Sequence, residues 1–179
     1  MMNRRPALAL ALACLLPIAA LSAQEPKKET VEGVRNFTNV SPTIACAGAT
    51  EARVMPELAK RGYKAVINLR QASEQGADIE GTRAAAEAAG IRFIHLPLNP
   101  QQPDPAVVDN FLKAAADAAN QPTFINCGSA SRVSALMITK RMLTDGWTQE
   151  RALAEAAVIG PPAPALQEFA LKYVAERKK

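Results

Sequence analysis

Short apolar runs and longer mixed stretches alternate along the chain. Residues 63–69, 91–98 and 123–126 are apolar runs of strand length, bounded by turn formers or polar clusters, as buried strands are. The stretches between them read as helices. Residues 80–89 are Ala-rich and stop at Gly90; residues 104–119 open on Asp104-Pro105, an N-cap with proline at the first helical position. Residues 133–143 are apolar and end at Asp145-Gly146. Thr148 is predicted to cap a helix to residue 159, and after the break at Gly160-Pro161-Pro162 a last helix runs from residue 164 to the tail. Nearer the start, residues 36–45 carry Phe37, Val40 and Ile44 between turn residues and predict one or two short strands broken near Ser41-Pro42. Thr50 is placed as the cap of a helix ending at Gly62, with Pro56 either kinking it or delaying its start. Strand–helix alternation of this kind predicts an α/β fold, a mainly parallel central sheet flanked by helices. Sites in such sheets lie at the carboxyl ends of the strands, so Arg70, Asn99 and Cys127, each following a strand, are expected on one rim.

The stretch Phe124-Ile125-Asn126-Cys127-Gly128-Ser129-Ala130-Ser131-Arg132 carries the chemistry. It is a strand, a loop of small residues and the start of a helix. Loop N–H groups and a helix N-terminus converge on one place and favour negative charge there, whether an oxyanion or the sulfur of Cys127. Arg132 offers a planar fork of donors matched to phosphate or sulfate oxygens. Gly128, Ser129, Ala130 and Ser131 are small enough to let a ligand approach the backbone. A lone buried cysteine and a solvated arginine are the plain alternative, and the strand–loop–helix context argues against it.

The first residues change the picture of where the chain works. Arg4 and Arg5 precede an apolar run over residues 7–21 that ends in small residues. This reads as a secretory signal peptide over residues 1–23, too short for a stable membrane span and excluded from fold reasoning. A polar lead-in over residues 24–33 is expected to be flexible, and residues 34–179 to form one domain. The expected location is the periplasm or outside the cell. Without residues 1–23 the formal charge falls from +4 to +2, because Arg4 and Arg5 leave and no acidic residue does. No basic stripe interleaved with aromatics is present, so no nucleic-acid partner is expected. No Cys/His cluster has metal spacing, and neither metal nor cofactor is expected. Only Cys46 and Cys127 of the three cysteines would remain, so the chain is no disulfide scaffold.

The segments "FTNVSPTIACAGAT", "LAKRGYKAVINLR", "AAAEAAGIRFIHLPLNP" and "FINCGSASRVSALMI" together resemble the phosphatase-like domain of the β-lactamase-hydrolase-like proteins. That domain is a branch of the cysteine-dependent dual-specificity phosphatase superfamily. The resemblance covers residues 34–160. It implies a dual-specificity-phosphatase-like fold, Cys127 as nucleophile, Arg132 as oxyanion clamp and residues 128–131 as the N–H loop. It also implies a phosphocysteine that water then hydrolyses.

Three departures stand against the superfamily pattern. Four residues rather than five separate Cys127 from Arg132, as in this branch and in rhodanese-type sulfurtransferases. Asn126 and Ala130 stand where His and Gly are usual, and Ala130 brings a Cβ to a position where a φ cheap only for glycine is expected. Asn99 stands where an Asp general acid is often found, and Asp104 is the nearest carboxylate, with the N-cap as its competing role. His95, the lone histidine, and Trp147 are read as structural. Three functions stay open: a phosphatase on phosphorylated substrates, a sulfurtransferase handling a sulfur-carrying substrate through a Cys127 persulfide, and a silent anion- or partner-binding module. In the resembling domains the Cys46 stretch lies near the anion loop, which makes Cys46 a candidate redox partner of Cys127.

Overall fold

The computed structural model describes residues 25–178, so the expected signal peptide lies outside the described residues. A six-stranded sheet runs in the order β1-β2-β3-β6-β4-β5. The strands are β1 Lys27–Lys28, β2 Thr38–Ser41, β3 Ile44–Ala47, β4 Ala65–Asn68, β5 Arg92–His95 and β6 Thr123–Asn126. The first three pair antiparallel; β3, β6, β4 and β5 are parallel. The helices are α1 Met55–Lys60, α2 Ile79–Ala88, α3 Pro105–Ala116, α4 Ser131–Leu143, α5 Gln149–Ile159 and α6 Pro164–Arg177. None of the described helices is long and apolar enough to cross a membrane.

The period of two along each strand sorts the core into two faces. Phe37, Ala45, Ala47, Val66 and Phe124 face Met55 and Leu58 of α1 and Ile79 and Ala86 of α2. Cys46, Ile67, Leu69, Ile125 and Cys127 face Val108 and Phe111 of α3, Val133, Leu136 and Met137 of α4, and Tyr173 of α6. The other side of α4 meets α5 and α6 through Ala135, Ile138, Met142, Ala152, Ala156, Leu166 and Ala170. Helix α4 is therefore covered on both sides, which explains why its sequence is apolar without a polar stripe. Strand β6 lies between β3 and β4, with Asn126 level with Ala47 on one side and Asn68 on the other. Whatever follows Asn126 emerges at the middle of the carboxyl rim.

Local differences from the sequence expectations have local causes. Thr50 caps no helix; it bridges to Val34, and a 3-10 turn over Ala52–Val54 precedes α1. Pro56 thereby falls in the first turn of α1, where its missing N–H costs no helical bond. Helix α3 stops at Ala116, and Asp117 then caps a second 3-10 turn by accepting from the Ala119 N–H. The polar lead-in carries β1: Lys28 Nζ donates to the Ile159 carbonyl at 2.8 Å, the Glu29 N–H donates to Phe37 O, and the Glu29 carboxylate pairs with Arg61. Expected stops and caps are present, among them Gly62 at φ +89°, Gly90 at +74° and the Thr148 hydroxyl accepting from the Arg151 N–H.

Candidate active site

Cys127 follows β6 directly and is fully buried. Its N–H reaches Ala47 O at 3.3 Å, while the Leu69 N–H donates to Asn126 O at 2.8 Å, so both neighbouring strands hold the entry to the loop. Ala130, the N-cap position of α4, has φ +80° and ψ −9°. This is the left-handed region anticipated for the position where glycine is usual, and it is costly for alanine. The loop turns its carbonyls outward. Gly128 O accepts from the Ala49 N–H at 3.0 Å, Ser129 O from Asn36 Nδ2 at 3.1 Å, and Ala130 O from the Ser134 N–H at 2.9 Å. Ser131 Oγ accepts from the Ala163 N–H at 2.9 Å, which ties the chain after Gly160 to the loop. Among the described residues the N–H groups of Gly128 through Arg132 donate to no protein acceptor. They are available to one anion at the head of α4.

Arg132 is buried and held on one edge. Its Nη1 donates to Leu69 O at 3.0 Å, to Leu98 O at 3.1 Å and to Glu74 Oε1 at 2.6 Å, and its Nη2 donates to Glu74 Oε2 at 2.7 Å. The guanidinium also lies beside the Cys127 sulfur, and its Nε donates to no protein acceptor among the described residues. Burial works to raise the Glu74 carboxyl, but the bonds from Arg132 and the Gln71 N–H prevail and hold it below the usual carboxylate range. The same carboxylate keeps Arg132 firmly charged against its own burial. Sequence reasoning missed Glu74, which lies in a polar loop without any motif of its own. A Cβ on Gly128 would stand 3.3 Å from Arg132 Nη2 and 3.4 Å from Glu74 Oε2, so the residue after the cysteine has little room to grow.

Arg70 acts at this rim as a brace. It donates to Gly76 O at 2.9 Å and Gln75 O at 2.7 Å and sits 3.4 Å from Glu74 Oε2, fixing the loop that presents Glu74. His95 is structural as read: its Nε2 is 2.7 Å from Arg70 O, and because a carbonyl only accepts, that nitrogen carries the proton. Asn99 turns its Oδ1 to the Gln101 N–H at 3.0 Å. Asp104 accepts from the Ala106 N–H at 2.8 Å, so its carboxylate serves as the cap of α3. Asn126 is buried with its Oδ1 unpartnered among the described residues, an acceptor without a donor in the position where His is usual.

Cys46 is level with Ile125, one diagonal step from Cys127 on the neighbouring strand. That step spans about 7–8 Å between Cα atoms, beyond the roughly 7 Å within which a disulfide closes without backbone movement. Both thiols are free and buried, and burial, with Glu155 nearby, pushes the Cys46 thiol well above its usual range. Trp147 lies between Arg141 at 4.3 Å and Arg151 at 3.6 Å from its ring centroid. No group of His, Cys, Asp and Glu that could hold a metal ion occurs among the described residues.

Comparison with known proteins follows the same line. Among solved structures, a DUF442 protein from Shewanella putrefaciens CN-32 superposes with a TM-score of 0.69 at 20% identity, over 80% of this chain and 94% of that one. TpbA of P. aeruginosa gives a TM-score of 0.62 at 22% identity, over 83% and 88% of the two chains. The core catalytic domain of the PP-IP phosphatase SIW14 from S. cerevisiae gives 0.67 at 20%, over 84% and 92%. These likenesses establish the dual-specificity-phosphatase-like fold. No curated protein matches the sequence. The family model of the β-lactamase hydrolase-like protein, phosphatase-like domain, matches residues 36–143, from Asn36 to the last turn of α4, and the chain belongs to that family.

Proposed function

We propose that the protein is an exported cysteine-dependent phosphatase that hydrolyses phosphomonoesters through a phosphocysteine on Cys127. The observation that carries this reading is the run of N–H groups from Gly128 to Arg132 that, among the described residues, meet no protein acceptor, closed around a buried cysteine by an arginine whose Nε likewise meets none. The Cys127 thiolate attacks phosphorus, the S–P bond forms, and the bond to the leaving oxygen breaks with its electron pair. The N–H groups and Arg132 stabilise charge on the equatorial oxygens as it develops. A water oxygen then attacks phosphorus, the S–P bond breaks, and the thiolate and inorganic phosphate are released.

Protonation of the leaving group is the weak part of this site. The Asn99 amide gives up no proton, Asp104 is engaged as a cap, and Glu74 is engaged by Arg132. Substrates with good leaving groups, such as aryl esters, are therefore expected to turn over faster than alkyl esters, since a general acid is worth about 10²–10⁴ in rate. Export rests on Arg4-Arg5 and the apolar run after them, and N-terminal sequencing of the native protein tests it. The central test is mass spectrometry of Cys127 after rapid quenching with an aryl phosphate. A phospho-adduct, lost in Cys127→Ser, is the expected result. A persulfide after incubation with thiosulfate, and no phospho-adduct, would reassign the site to sulfur transfer.

A further inference from the structure

We propose that Asn36 is a positioning residue of the anion loop, holding the 129–130 peptide so that its N–H faces the bound oxyanion. The ligand in this inference rests on the phosphatase reading; the brace itself does not. Asn36 and Ala130 are the two non-glycine residues with positive φ among the described residues, at +54° and +80°, and a single hydrogen bond links their neighbourhoods. Asn36 Nδ2 donates to Ser129 O at 3.1 Å, across 93 residues of sequence. Asparagine tolerates the left-handed region better than most residues, so it can turn the chain here and still present an amide.

The turn is itself anchored. Arg35 exchanges hydrogen bonds with the 48–49 segment, its N–H donating to Ala49 O at 2.8 Å and its carbonyl accepting from the Gly48 N–H at 2.7 Å. Phe37 is fully buried and stacks on Phe124 at 5.8 Å between centroids. Gly48 is wedged against the loop: a Cβ there would stand 3.2 Å from Arg35 O, Gly128 O and the Ser129 carbonyl carbon.

In a trans peptide the C=O and the next N–H point in opposite directions. Holding Gly128 O outward on the Ala49 N–H therefore turns the Ser129 N–H inward, and holding Ser129 O outward on Asn36 turns the Ala130 N–H inward. The second peptide is the vulnerable one. Flipping it would move Ala130 out of its costly positive φ, but would aim a carbonyl at the anion. The Asn36 amide opposes that flip.

The test uses the full chain carrying Asn36→Asp, which keeps size and turn but loses the donor, and Asn36→Gly, which keeps the turn and loses the side chain. Inhibition by inorganic phosphate and turnover of p-nitrophenyl phosphate are measured with each, beside thermal stability. Asn36→Asp is expected to weaken phosphate binding and lower kcat/KM by about tenfold, and Asn36→Gly by about threefold, as befits one solvent-accessible hydrogen bond. Adding Ala130→Gly, which removes the incentive to flip, should restore most of the loss in Asn36→Gly. A role confined to the turn conformation predicts instead that both variants match wild type. Phosphate affinity unchanged in Asn36→Asp, or a loss that Ala130→Gly leaves untouched, overturns the inference and spares the phosphatase reading. If wild type neither binds phosphate nor turns over the ester, the phosphatase reading fails. Amide hydrogen exchange then decides the brace: faster exchange at Ala130 in Asn36→Asp supports it, and unchanged exchange overturns it.

Discussion

Arg132 and Arg141 stand on the same helix, are both 7% exposed, and each grips a glutamate with two nitrogens, yet they do opposite work. Arg141 is engaged at every nitrogen. Its Nε and Nη2 hold Glu155 at 2.8 and 2.9 Å, its Nη1 holds Asp145 at 2.7 Å, and Trp147 covers one face. Arg132 is held along its Nη edge by Glu74 and two carbonyls, its guanidinium lies beside Cys127, and its Nε donates to no protein acceptor among the described residues. A buried guanidinium held at all three nitrogens is a structural rivet. One with a fixed edge and a free edge is prepared for a ligand. The two carboxylate partners differ in the same sense, since Glu155 is buried within the helical layer while Glu74 is carried by a loop at the rim.

The largest effect that would break this comparison is on turnover. Cys127→Ser should abolish it, and Arg132→Ala should lower kcat/KM by about 10²–10³ while weakening phosphate binding about ten- to a hundredfold. Full activity in Cys127→Ser on any substrate of the wild type would dismiss the nucleophile. Arg141→Ala should leave the activity of each folded molecule unchanged but destabilise the fold by about 3–5 kcal/mol, because Glu155 is left buried and unpaired. Urea denaturation checks this, and Arg141→Met combined with Glu155→Leu should recover most of the loss.

The third effect is a pH dependence. The Glu74 carboxyl is held below its unfolded value, so its contribution to stability is complete above that unfolded value and is lost as pH falls through the depressed folded one. Glu74→Gln should flatten the acid limb of the stability profile and raise KM by freeing the Nη edge of Arg132. The smallest effect concerns the loop that opens α4. Ala130→Gly should stabilise the protein by about 0.5–1 kcal/mol by relieving the positive φ, read as a small rise in Tm.

What the sequence determined by itself is local. The apolar runs placed β4, β5 and β6, and the caps Asp104 and Thr148 and the stops Gly62 and Gly90 act within a turn of their own position. Cys127, the loop after it and Arg132 were legible as a strand–loop–helix unit. The awkward backbone of Ala130 was legible only through the resemblance, which has glycine at that position. Other contacts were decided by tertiary structure alone. Glu74 meets Arg132 across 58 residues and Asn36 meets Ser129 across 93, separations that no local pattern records. The cap bond that Asp104 accepts from the Ala106 N–H, by contrast, lies within its own turn. The physical reason is strand order. Periodicity records which side of a strand or helix faces a core, but not that β6 enters between β3 and β4, and only that insertion brings the segment before β2 and the loops after β3, β4 and β5 around one cysteine.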